Sequence, residues 1–190
     1  MKTTKSILAS LFMIALIISS CTPCNECNDP KLTKINRTDT SKPSIQWSFS
    51  SGRTSAGTAT SSIAIVPDPA AGVDANVAPD LTYGIYAEAT DNESGIKSIT
   101  MSGGFSNTCK TGANLFTTHG TLGEQRQDFS FTNCALKAWN LKNLNIERYA
   151  DCGTGHILVN GNLACQVITE NFAGLKDTSV MVVRFRPVGL

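Results

Sequence analysis

The sequence predicts an all-β domain, an antiparallel β-sandwich, and three observations carry that expectation. Short runs alternate apolar and polar residues with a period of two, and Gly, Pro, Asn and Asp break them. Of the 190 residues, 39 are Ser or Thr, which favour strands and turns over helices. Ser44–Ser50 (SIQWSFS) puts Ile45, Trp47 and Phe49 on one face. Ser61–Pro67 (SSIAIVP) sets Ile63 and Ile65 together, ahead of a Pro/Asp/Gly loop through Asp80. Leu81–Thr90 (LTYGIYAEAT) carries Leu81, Tyr83, Ile85, Ala87 and Ala89 on one face and Thr82, Tyr86 and Glu88 on the other. Ile96–Ser102, Gln127–Thr132 and Thr178–Pro187 continue the series, and Val159-Asn160-Gly161-Asn162 has the Asn-Gly pair of a type I′ hairpin turn. Ala135–Ala150 (ALKAWNLKNLNIERYA) fits either a short helix or a strand with a turn.

The first residues carry an address. Lys2 and Lys5 precede a 12-residue apolar run, Ile7–Ile18, too short for the roughly 20 residues of a membrane-spanning helix. The run ends in Ile18-Ser19-Ser20-Cys21, which resembles the bacterial lipobox: an aliphatic residue and two small ones before a cysteine. That resemblance implies a lipoprotein signal peptide over residues 1–20, with Cys21 becoming an acylated first residue through a diacylglycerol thioether. Two or three acyl chains, palmitate among them, at about 0.8 kcal/mol per buried CH₂ would hold the protein on a membrane where one chain would not. Thr22 rather than Asp follows the cysteine, which by the same resemblance implies the outer membrane, with the periplasmic or the surface leaflet open. Residues 21–42 are polar, contain Pro23 and Pro30 and show no period. They read as a lipidated N-terminus and flexible tether, about 70 Å if fully extended and about 25 Å r.m.s. as a coil. The folded domain is expected over 43–190.

Within that domain, Leu81–Met101 (LTYGIYAEATDNESGIKSITM) resembles the B and C strands of bacterial immunoglobulin-like surface domains, with their Ala-x-Asp-Asn-x-Ser-Gly-Ile corner. Cys165–Phe185 (CQVITENFAGLKDTSVMVVRF) is similar to their last two strands. The resemblance implies an immunoglobulin-like antiparallel β-sandwich; Gly103–Leu163 matches nothing in that pattern. It also brings Asp91, Glu93, Glu170 and Asn171 to one end of the sandwich. There they would either offer oxygens to Ca²⁺ or bond to their own loop backbones as turn residues do.

Seven cysteines divide into Cys21, the C-x-x-C pair Cys24 and Cys27, and four in the domain. Cys109, Cys134, Cys152 and Cys165 are disulfide candidates; 109–134 and 152–165 close the shortest loops, although the Asn-Gly turn would set Cys165 opposite His156 rather than Cys152. No helix follows Cys24-Asn25-Glu26-Cys27 to lower a thiol pKa, so a small local disulfide or unpaired thiols are expected. No zinc spacing and no hydrolase, P-loop or dinucleotide motif occurs. His119 and His156 lie near no recognisable nucleophile. Trp139 and Tyr86 are the aromatic candidates for stacking on a sugar, whereas Trp47 shares a face with Ile45 and Phe49.

A net charge of +1 argues against nucleic acid, and removal of Lys2 and Lys5 takes it to −1. The expectation is a lipid-anchored envelope protein, a non-catalytic binding or structural module that needs no cofactor, with a carbohydrate-binding accessory lipoprotein or an envelope enzyme as the alternatives. Its partners would be the membrane, through the lipid, and a protein or glycan ligand.

Overall fold

A computed structural model of the chain describes residues 27–55, 58–77, 81–141 and 144–187, the side chains of 53–61 excepted. β1 (Leu32–Lys34), β2 (Ser44–Ser55), β3 (Thr58–Val66), β4 (Val73–Val77) and β5 (Leu81–Thr90) come first. β6 (Ile96–Thr111) and β7 (Asn114–Asp128) form a long hairpin. Three short strands follow: β8 (Cys134–Leu136), β9 (Ala138–Asn140) and β10 (Leu144–Asn145). A 3₁₀ turn at Glu147–Tyr149 then leads to β11 (Ile157–Asn171) and β12 (Lys176–Pro187).

One large sheet runs β10-β5-β2-β3, with β9 also on β5; the other runs β4-β12-β11-β6-β7, and β1 with β8 forms a separate two-stranded sheet. Every pair is antiparallel except β4 with β12. The two large sheets pack as the all-β sandwich that the alternation predicts, with the immunoglobulin-like arrangement that the resemblance implies. β11 shows why. Gly161, Leu163, Cys165, Val167 and Thr169 are buried, and the residues between them are exposed. A period of two therefore turns directly into an inner and an outer face. Trp47, Ile85, Ile99, Met101, Leu163 and Phe185 are at most 1% exposed, each contributing about 1.5–3 kcal/mol on burial. The Trp47 indole N–H donates across the sandwich to Ser179 Oγ at 2.8 Å.

The structure corrects several expectations. The polar stretch read as a tether through Lys42 is bonded into the fold from Cys27 onward: Leu32–Lys34 pairs with Cys134–Leu136, and Cys27 is joined to Cys134. Asn160-Gly161 makes no hairpin turn. It lies inside β11 beside a bulge between Leu158 and Asn160, and the turn lies instead between Thr111 and Asn114. Glycine is needed at 161 for space: a Cβ there would lie 2.2 Å from Asn107 Oδ1. The strand expected at Gln127–Thr132 ends at Asp128. Ile63 and Ile65 do share a face, but it is the solvent face of edge strand β3, where they are 63% and 60% exposed. Ala135–Ala150 resolves into short strands and a 3₁₀ turn rather than a helix.

Both preferred disulfide pairings are also corrected. Cys109 joins Cys152 and Cys134 joins Cys27, with Cα separations of 5.8 and 5.6 Å. The cause is the hairpin. Cys109 lies near its tip, and the 15 residues of β7 carry the chain about 50 Å back before Cys134. Cys165 stays a free thiol at the centre of its sheet, opposite Gly103 and Met181, and burial pushes its pKa up to about 12. The two bridges close separations of 107 and 43 residues. In the chain-entropy picture each is worth about 4–5 kcal/mol.

Two outcomes follow from these positions. Peptide mapping without reduction should return Cys27–Cys134 and Cys109–Cys152, with Cys165 alkylated only after denaturation; modification of Cys165 in the native protein would contradict its burial. Gly161→Ala should lower stability by about 1–3 kcal/mol in urea titrations, as overpacking does.

Candidate functional site

At one end of the sandwich the β5–β6 corner meets the β11–β12 hairpin. Asp91 Oδ1 accepts the backbone N–H groups of Ser94, Gly95 and Glu93 at 2.7, 3.0 and 3.1 Å. Its Oδ2 accepts from the Asn171 amide at 2.9 Å, and that amide also donates to the Ser41 carbonyl at 3.0 Å. Asn171 Oδ1 in turn accepts from Leu175 and Ala173 N–H at 2.8 and 3.1 Å. Ser94 Oγ donates to Asp39 Oδ2 at 2.9 Å, bringing in the segment ahead of β2. Gly95 permits the tight corner: its φ is +76°, and a Cβ there would lie 2.4 Å from Ala135 Cβ.

These contacts decide what the four calcium candidates do. Asp91 and Asn171 are brought together, but Asn171 turns its N–H₂, a donor, toward Asp91, and the other oxygens hold backbone N–H groups. Glu93 lies beside Asp39, whose hydrogen bond and negative charge raise the Glu93 pKa. Glu170 pairs with Lys97 at 2.5 Å and Lys176 at 3.4 Å, the Lys97 contact chiefly lowering its pKa. Among the described residues no group of three or more His, Cys, Asp or Glu side chains is placed to hold a metal. The cluster ties loops together. Asp39, whose pKa the Ser41 N–H chiefly lowers, was not anticipated; its sequence signal is the turn-forming Asp39-Thr40-Ser41.

A second arrangement lies at the side of the sandwich, where edge strand β7 faces β9. There a cleft of about 420 Å³ is lined by Gln125, Gln127, Trp139, Asn140, Glu124 and Arg126 over Leu141. Its register sets its chemistry. Gln125 and Gln127 pair with Met101 and Ile99, so the two glutamines occupy the inner face of the sheet. Trp139 pairs with buried Ala89 and occupies the inner face of the opposite sheet. The cleft thus lies between a half-buried indole, a half-buried Gln125 and an exposed Gln127. Trp139 is half-buried and meets Phe129 edge-on at 5.0 Å between ring centroids. Phe131 stacks on Phe129, and Phe172 tilts against Phe131.

Tyr86 pairs with Ser48 and lies on the outer face, so Trp139 and Tyr86 share no platform. His119 and His156 are both exposed, His156 edge-on to Phe116 at 4.9 Å. His119 and Asp128 lie nine residues apart on β7, about 30 Å along the strand. Cys21 lies outside the described residues. Gln125 and Gln127 were missed because the strand that aims them inward has no clean alternation: Gly120 and Gly123 interrupt it. No family model, no curated protein and no solved structure matches this chain.

The acidic end gives a pH prediction. A raised Glu93 pKa means that its ionised form weakens the fold, an effect that is complete above the folded pKa and absent below the ordinary glutamate value near 4.3. Asp39 acts oppositely: its lowered pKa adds stability that disappears as pH falls through it. Glu93→Gln should therefore stabilise the protein at pH 7, and the gain should vanish toward pH 4 in denaturant titrations. A gain that persisted at acid pH would exclude the Asp39–Glu93 repulsion as its source.

Proposed function

We propose that the protein is a lipid-anchored, non-catalytic binding module of a bacterial cell envelope, held on the outer membrane through Cys21. The observation that carries the binding role is the lateral cleft, in which the inner face of an edge strand presents Gln125 and Gln127 to Trp139. Small-molecule sites commonly take this form: a concave, partly aromatic surface of about 300–1,000 Å³ with a few placed polar groups. The location rests on Ile18-Ser19-Ser20-Cys21 behind its short apolar run, and the two disulfides support an oxidising compartment. The exposed, separated histidines favour binding over catalysis.

On this reading only six peptide links join the acylated Cys21 to Cys27, which is cross-linked into the sandwich. Fully extended they reach about 20 Å, so the domain rides close to the lipid headgroups. Cys21→Ala should move the tagged full-length protein from the membrane to the soluble fraction and abolish labelling by a palmitate analogue. Membrane retention of that variant would overturn the anchor. Protease shaving of intact cells then distinguishes a surface-facing domain from a periplasmic one.

A further inference from the structure

We infer that the lateral cleft binds a neutral saccharide, an inference that rests on the binding-module reading and names its ligand class. Four observations converge on it. First, polar groups continue the inner face past the sheet's core: on β6 the paired positions are Ile99 and Met101, both buried, and on β7 they are an exposed Gln127 and a half-buried Gln125. Inward amides on a sheet edge keep the space wet. Second, those groups are available. No described residue hydrogen-bonds the Gln125 side chain or the Trp139 indole N–H, and Gln127 uses only its Nε2, donating to the Asp128 carbonyl at 3.0 Å. The chain's other indole, Trp47, is fully buried with its N–H satisfied by Ser179.

Third, the chemistry matches sugar hydroxyls and the C–H face of a pyranose ring. A carboxamide both donates and accepts, as each hydroxyl does, and a half-buried indole offers an apolar ring surface with a polar edge. Fourth, the charge disfavours acidic ligands. The Arg126 guanidinium is held by Asp128 through two bonds of 2.7 and 2.8 Å, and Glu124 leaves a carboxylate on the rim. A phosphate or uronate would find its countercharge engaged and a like charge beside it. Phe129, Phe131 and Phe172 continue the half-buried rings beyond Trp139, giving a chain of sugars more surface than one. A peptide is the less fitting occupant, because the free groups converge from two sheets rather than running along one strand edge.

The test is a glycan array of neutral and acidic oligosaccharides. It is probed with the full-length lipidated protein in a detergent without a sugar headgroup, followed by tryptophan-fluorescence titration with the strongest neutral hit. The expected result is saturable binding at micromolar to millimolar concentration by a neutral oligosaccharide. Trp139→Ala should weaken it at least tenfold and Trp139→Phe less, with the fluorescence change lost in both. Gln125→Ala, which removes no core side chain, should weaken it several-fold, and Tyr86→Ala on the opposite face should leave it unchanged. Binding confined to acidic glycans, binding indifferent to Trp139 and Gln125, capture of a proline-rich peptide at the cleft, or no glycan binding up to ten millimolar would overturn the saccharide inference. Those results leave the anchor intact, because anchoring is read separately from the fractionation of Cys21→Ala.

Discussion

The hydrogen bond from the Asn171 amide to the Asp91 carboxylate is the contact on which the arrangement of the two sheets depends. Asp91 directly follows β5 in one sheet and Asn171 ends β11 in the other, so this bond ties the two sheets together at one end of the sandwich. A carboxylate that is 6% exposed is costly to bury unless its acceptor sites are filled. Asp91 meets that condition with three backbone N–H groups and one amide. The same groups turn the chain: the N–H donors of Glu93, Ser94 and Gly95 reach Asp91 only if the backbone curls sharply, and that curl sends it from β5 across to β6. Desolvation and chain reversal are therefore one event. The Phe172 N–H to the Gly95 carbonyl, at 3.2 Å, closes the same junction from the backbone side.

What was legible in the sequence follows from the range of each interaction. Leu81–Thr90 was readable because apolar residues alternate along it and its neighbours β2, β9 and β10 follow its register. The Asp91–Gly95 corner was readable because turn chemistry is local. The disulfides were not, because loop length measures chain entropy while pairing depends on where a strand delivers its end. Asn160-Gly161 misled for a related reason. The local turn preference of Asn-Gly is weaker than fourteen residues of pairing between β11 and β6, and the glycine serves instead to admit Asn107, whose amide donates to the Tyr149 carbonyl at 2.7 Å. The cleft was half legible. Trp139 stood out by residue type, but its glutamine partners depend on a strand register that no periodic signal announced.

The N-terminal segment links these features. Through Ser41 and Asp39 it joins the Asp91–Asn171 cluster, and through β1 it pairs with β8, two residues before β9 delivers Trp139. The Cys27–Cys134 bridge covalently closes that path. Among the described residues β8 pairs only with β1, and β9 adds three residues to the side of β5, so the strip carrying Trp139 has little sheet of its own. Its position is set by pairing with β5 and, through β8, by the N-terminal strand and the cystine. A stacking residue must be held in place before its ligand arrives, since a ring ordered only on binding costs entropy. The same few residues that on our reading lead from the lipid into the domain therefore also help hold the wall of the cleft, and loosening them would affect stability and, on the proposed binding role, binding as well.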